Sequence, residues 1–142
     1  MAYTGYESAG TFTPTIQFGG GSTGLSYASQ YGNWVRTGTQ VFITGGVSLS
    51  AIGTSFGDAT FGGLPFQVAP YSFPLIDIWF IFFSSASLAL TGGYWSQMGI
   101  SSDIGTGGYF YECNGTNQVN LTNSNFSSST GIAFTGVYQT LP

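Results

Sequence analysis

Val41-Phe42-Ile43-Thr44-Gly45-Gly46-Val47-Ser48-Leu49 is the stretch whose reading decides the fold class. Val41, Ile43, Val47 and Leu49 share one parity; Phe42, Thr44, Gly46 and Ser48 share the other. Successive side chains of an extended chain point to opposite faces. An apolar period of two therefore reads as a β-strand with one face in a core. Residues 25–35 alternate in the same way through Leu25, Tyr27, Tyr31 and Val35, with Gly32-Asn33 as a local irregularity. Gly38 makes a tight turn between the two segments, which predicts a hairpin of residues 31–36 with 41–49.

Outward from this hairpin the same grammar continues. Phe12, Ile16 and Phe18 share a parity over residues 11–18, and Pro14, which has no N–H to donate, predicts an edge strand or a break. Residues 58–61 read as a short strand ended by Gly62-Gly63-Leu64-Pro65-Phe66. Residues 75–83 are apolar on both parities, so this strand is either buried on both faces or turns its outer face to another subunit. Residues 87–97, with Leu88 and Leu90 on one face, and then 109–113, 119–121 and 132–138 are the remaining strands, and 123–130 is a polar loop. Helix formers are scarce and no 3.6-residue apolar period is sustained. About eight short strands at roughly ten-residue spacing predict an all-β antiparallel β-sandwich or jelly roll. A short N-terminal arm of residues 1–9 precedes a single domain over 10–142.

Composition narrows the function. The hydrophobic fraction is 42%, that of a globular chain, yet charged residues make up only 4% of the 142 residues, against about 25% in an average soluble protein. Arg36 is the single cation and the net charge is −4, which excludes a surface that tracks nucleic-acid phosphates or anionic lipid. The longest apolar stretch, 75–83, is interrupted by Asp77 and is too short for a membrane-spanning helix. No signal peptide is visible, which predicts a chain made in the cytoplasm and leaves the Asn-x-Ser/Thr sequons at Asn114, Asn120 and Asn125 unused. A surface so poor in charge is either neutral and polar or covered by other subunits.

Catalysis is poorly equipped. Without histidine or lysine, no Ser–His–Asp, Cys–His or Ser–Lys arrangement can be built, and no zinc ligand cluster exists. Glu7, Asp58, Asp77, Asp103 and Glu112 are scattered and read as turn residues, surface charges or partners for Arg36. The Gly-rich runs at 19–21 and 105–108 lead into no helix and carry no phosphate-binding lysine. The sequence therefore predicts no enzyme, no metal and no cofactor. Cys113, alone, is a buried thiol or bridges to its copy in another subunit. Asp77 sits in an apolar strand, where an unpaired charge is costly. It either points outward or pairs with Arg36 within or between subunits. Aromatics make up 18% of the chain, and Tyr and Trp suit interfaces and sugar-binding surfaces. Trp34, Arg36, Asp77, Trp79, Phe80 and Trp95 are the candidate interface residues, with 75–83 as an intersubunit or core seam.

Three segments carry a resemblance. Gly10-Thr11-Phe12-Thr13-Pro14 resembles the "GTWTP" opening of β-structured domains of phage virion proteins, with Phe12 where that pattern has Trp. Gly32-Asn33-Trp34-Val35-Arg36-Thr37-Gly38 is similar to a following "G-x-Y-x-[KR]-x-G" segment, and Gly57-Asp58-Ala59-Thr60-Phe61-Gly62-Gly63-Leu64-Pro65-Phe66 to a "G-x-A-x-I-x-G-L-P-F" segment. The segments keep the family's order and span residues 10–66. The resemblance implies a virion surface protein, commonly a homotrimer, at tail-fibre tips or elsewhere on the particle. The absence of a shaft before residue 10 favours a capsid cement or decoration protein that binds itself and the major capsid protein. The alternative is a tail-fibre or spike tip that binds a host glycan. The expected location is the virion, on the capsid before the tail.

Overall fold

The computed structural model describes the backbone of residues 7–70 and 78–142 and the side chains of residues 8–70 and 81–142. The strands are β1 (Glu7–Thr11), β2 (Thr15–Phe18), β3 (Leu25–Thr37), β4 (Gln40–Ile52), β5 (Ala59–Gly62), β6 (Ile78–Ala86), β7 (Trp95–Ser101), β8 (Gly107–Cys113), β9 (Gln118–Asn120) and β10 (Gly131–Gln139). All pair antiparallel in the order β1-β3-β4-β10-β6-β7-β8-β5-β2, with β9 beside β8. The only helical turn among the described residues is a 3-10 turn at Asn123–Asn125.

The path curls into a sandwich because β6 serves both layers. Its second part, Phe82–Ala86, pairs with β10, and its first part, Ile78–Ile81, pairs with β7. The first layer is β1, β3, β4, β10 and the end of β6; the second is the start of β6, then β7, β8, β9, β5 and β2. The expected break at Pro14 is where the chain leaves β1 in the first layer and enters β2 in the second. This split turns the nine segments read from the sequence into ten strands.

The central hairpin forms as read. Thr37 pairs with Gln40, and Gly38 takes φ +60° in the two-residue turn, a conformation that costs little only without a Cβ. Val41, Ile43, Val47 and Leu49 are buried on the inner face of β4. Between the layers, the Phe134 ring stands 6.4 Å from Phe61, Phe61 stands 5.6 Å from Phe110, and Phe110 stands 5.6 Å from Phe126. Each such ring contributes on the order of 1.5–3 kcal/mol by leaving water.

The glycine-rich segment after β5 is held by the end of β10. The buried Tyr138 hydroxyl donates to the Phe66 carbonyl at 2.9 Å and accepts from the Phe66 N–H at 3.2 Å. Thr140 Oγ1 donates to the Gln67 carbonyl at 2.6 Å.

One expected strand is corrected. Residues 87–94 lie outside the ladders, and the strand is Trp95–Ser101. Leu88 and Leu90 do pack against the core, but from a loop tied to the 3-10 turn: Ala89 N–H donates to the Asn125 carbonyl at 2.9 Å. Their alternation reflects burial without a neighbouring strand.

Candidate functional site

With the odd positions of β4 inside, its even positions face outward, and the register of its neighbours lines up four outer rows. These are Val35–Phe42–Val137, Asn33–Thr44–Thr135–Phe82, Tyr31–Gly46–Ala133–Ser84 and Ser29–Ser48–Gly131–Ala86. No Asp, Glu, Lys or Arg stands in them. Large apolar groups do: Phe82 is 84% exposed, Tyr31 53%, Phe42 51% and Val35 47%.

The face is uneven. Gly46 leaves room for the Tyr31 ring to cross β4; a Cβ there would come within 2.9 Å of Tyr31 Cε1. On one side of Tyr31 a hollow of about 410 Å³ is floored by Gly45 and Phe134 and walled by Thr44, Thr135 and Phe82. A second hollow, of about 340 Å³, runs over Ser29, Ser48 and Gly131. A third, of about 190 Å³, lies between Val35, Phe42 and Thr135. The hydroxyls on this surface can each donate or accept a hydrogen bond.

The acids with described side chains lie on the second layer and its turns, and each has a partner, whereas Glu7 stands at the start of β1 in the first layer, opposite Thr37. Asp58 Oδ2 accepts from Asn120 Nδ2 at 2.9 Å. Asp103 accepts from Ser101 Oγ and, at 3.0 Å, from the Tyr109 hydroxyl. Glu112 accepts from Thr91 Oγ1 at 2.6 Å and from the Thr91 N–H at 2.8 Å, and these two bonds hold its carboxyl below the ordinary value. Burial raises the Tyr109 phenol, and the bond to Asp103 adds to the rise. Cys113 is a buried free thiol whose Sγ donates to Gln97 Oε1 at 3.1 Å; burial pushes its pKa up.

The residues singled out from sequence scatter. Trp34 turns inward, half-buried, with its ring 4.8 Å from Phe66 and edge-on to it. Arg36 is held within the chain: Nε donates to the Gly38 carbonyl at 2.7 Å, Nη2 donates to the Leu141 carbonyl at 3.1 Å, and the guanidinium lies 4.7 Å from the Phe66 ring centre. Trp95 is 53% exposed on the second layer, opposite Cys113 in the ladder. Trp79 and Phe80 take positions opposite Ile100 and Gly99. Asp77, and with it the proposed pair with Arg36, lies outside the described residues. Further along β6, Ile81 is buried while Phe82 is exposed, so this part of the strand is not buried on both faces. The sequence reading left Tyr31 and Phe42 out of the site, although the even parity of 41–49 pointed at them, and covered Phe82 only as part of the 75–83 seam.

No group of three or more His, Cys, Asp or Glu side chains that could hold a metal gathers among the described residues. No helix among them is long and apolar enough to cross a membrane. No protein-family model and no curated protein matches the chain. The fold is that of part of a solved structure, the crystal structure of the Dettilon tailspike protein (gp208). The TM-score is 0.74 at 18% sequence identity, and the match covers 94% of this chain and 24% of that one. The chain thus spans about a quarter of the length of the tailspike that it resembles in fold.

Proposed function

We propose that the chain is a structural module of a phage virion, built into a tail spike or tail fibre, where it works by holding protein surfaces together and not by catalysis. The observation that carries this reading is the fold likeness to a tailspike protein over nearly the whole chain. The charge-poor outer face of the first layer agrees with it. Exposed rings among hydroxyls on a solvent-facing sheet are what a covered surface needs and what an isolated soluble protein avoids. The tail is preferred to the capsid because the fold neighbour is a tailspike; a decoration protein on the shell would share the same physics at a different address.

Location and copy number in purified particles test the reading, by electron microscopy with gel densitometry. A few copies at the tail are expected. Many copies spread over the shell would move the module to the capsid, and absence from particles would remove the virion role.

A second reading draws on the 410 Å³ hollow. It joins two aromatic rings, Tyr31 and Phe82, to the hydroxyls of Thr44 and Thr135. That chemistry suits one unit of a neutral sugar, stacked on a ring and hydrogen-bonded at its edge. A signal on a glycan array that is lost in Tyr31→Ala would support it.

A further inference from the structure

We propose that Asn114, in the turn between β8 and β9, is a site of spontaneous modification. The Gly115 amide nitrogen closes on the Asn114 carboxamide, ammonia leaves, and aspartate or isoaspartate remains. This chemistry is independent of the structural-module reading.

The electrophile is already polarised. The turn closes with the Asn114 N–H donating to the Asn117 carbonyl at 3.2 Å. Asn114 Oδ1 accepts from two backbone N–H groups, that of Thr116 at 3.0 Å and that of Asn117 at 2.8 Å. Both donors draw charge from the Cγ–Oδ1 bond. They also stand where Oδ1 would become an oxyanion, at the spacing an oxyanion hole uses, about 2.7–3.1 Å. The nucleophile is open. Gly115 is exposed, has no Cβ to shield its nitrogen, and its N–H donates to no acceptor among the described residues. Its φ of +85° lies in the left-handed region, which suits a glycine at this place in the turn. The other sequon asparagines lack this combination. The Leu121 N–H, which would attack Asn120, donates to the Phe110 carbonyl at 2.8 Å. The Phe126 N–H, which would attack Asn125, donates to the Asn123 carbonyl at 3.1 Å. Asn125 Nδ2, the leaving group there, is itself tied to the Ala89 carbonyl at 2.6 Å.

The reaction needs only hydroxide and water. Hydroxide takes the Gly115 N–H proton, the nitrogen bonds to Asn114 Cγ, and the carbonyl electron pair moves to Oδ1. As that pair returns, the Cγ–Nδ2 bond breaks. Nδ2 takes a proton from water and leaves as ammonia, which regenerates hydroxide. Water then opens the succinimide ring at either carbonyl. Opening at Cγ gives aspartate, which keeps an acceptor for the Thr116 and Asn117 N–H groups. Opening at the main-chain carbonyl gives isoaspartate, which lengthens the main chain by a carbon within the turn. That change strains the β8–β9 ladder from its Cys113↔Gln118 end. A Cβ placed on Gly115 would stand 3.7 Å from Trp95 Cη2, so the turn lies against that exposed ring. Either product adds a carboxylate to a chain of net charge −4.

Ageing of the folded full chain in mildly alkaline buffer is the test, read by peptide mapping in a mass spectrometer and by labelling with an isoaspartyl methyltransferase. Conversion is expected at Asn114 ahead of every other asparagine, at a rate proportional to hydroxide concentration. Trp95 fluorescence should change in step with it, and Trp95→Phe should remove that signal without slowing the conversion. Asn114→Gln is expected to abolish the isoaspartate label at this position. Gly115→Ala is expected to slow conversion roughly tenfold, because a Cβ then shields the nitrogen. The parent chain alone keeps the test decisive if Gly115→Ala folds poorly. Asn114 that stays intact in the folded chain while the urea-unfolded chain converts overturns the proposal, since the turn then shields the site. So does conversion spread evenly over Asn114, Asn120, Asn123 and Asn125, or a rate that ignores pH. Particle localisation bears on the virion reading alone.

Discussion

On the outside of the first layer, Tyr31, Phe42 and Phe82 stand exposed among serines, threonines and glycines with no charge in the four rows. On the second layer and its turns, Asp58, Asp103 and Glu112 each hold a hydrogen-bond partner, and Tyr111 and Cys113 are buried. Both layers share one aromatic core, so folding alone does not explain the contrast. Exposed rings contribute little to a monomer, whereas a carboxylate with two donors fixes a turn and keeps a surface wet. The proposed structural module would set protein against the first-layer rings and water against the carboxylates, although Trp95 and Val119 are exposed on the second layer as well.

Glycines give the largest test of this contrast. At Gly108 in the second layer an added Cβ would fall on the Gly99 carbonyl oxygen, which is backbone and cannot swing away. Gly108→Ala is expected to cost about 3 kcal/mol in urea denaturation. At Gly46 in the first layer the Cβ would meet the Ile132 carbonyl oxygen at 2.8 Å and the Tyr31 ring at 2.9 Å. The ring can lift into solvent but the Ile132 carbonyl is backbone and must shift, so Gly46→Ala is expected to cost about 2 kcal/mol, less than Gly108→Ala because the approach there is closer. Equal costs would mean that the first layer is as rigidly packed outside as the second is inside.

Tyr138 belongs to the first layer's inner face, and its removal is the next largest effect. Tyr138→Phe leaves the Phe66 N–H and carbonyl without their partner, which costs on the order of 1–3 kcal/mol. Burial pushes the Tyr138 phenol up to about 12 from 10.0. A raised phenol keeps its proton longer in the folded state. Its stabilisation is therefore complete below pH 10 and is lost as pH rises towards about 12. Thermal melts across that window should fall less steeply for Tyr138→Phe than for the parent; an unchanged slope would remove Tyr138 from the alkaline transition.

The hairpin of β3 and β4 was legible because Val41, Ile43, Val47 and Leu49 alternate against a polar face and Gly38 marks the turn. The break at Pro14 was legible for the chemical reason that proline lacks a donor. Strand β7 was not. Met98 and Ile100 are fully buried, but Gly99 and Ser101 between and beside them carry no strand signal, and Leu88 and Leu90 mimic one. The site was half legible. The lack of charge pointed to a surface that is either neutral and polar or covered, and tryptophans were read among its interface candidates. Trp34 instead packs on Phe66, where its ring fills the space above Gly10. Which aromatic faces outward depends on which layer its neighbours join, and that is long-range information.

Glu112 offers a smaller effect of opposite sign in pH. Its carboxyl is held below the ordinary 4.5 by the two Thr91 bonds. The stabilisation is present above that ordinary value and is lost as pH falls through the lowered one. Glu112→Gln should lower the melting temperature at neutral pH and flatten the acid limb, so that variant and parent converge as pH falls. An acid limb of the same steepness in the variant would show that the Thr91 turn does not report on folding.

The smallest expected effect on stability is the most telling. Phe82 is 84% exposed, so Phe82→Ser removes little that the monomer buries, and monomer stability should stay within about 0.5 kcal/mol of the parent. If the face exists to be covered, the same change should be visible only where copies or partners meet, as weaker association and higher solubility. A loss of 2 kcal/mol or more in dilute, monomeric protein would mean that the ring packs within its own chain. The contrast between the layers would then be one of packing and not of neighbours.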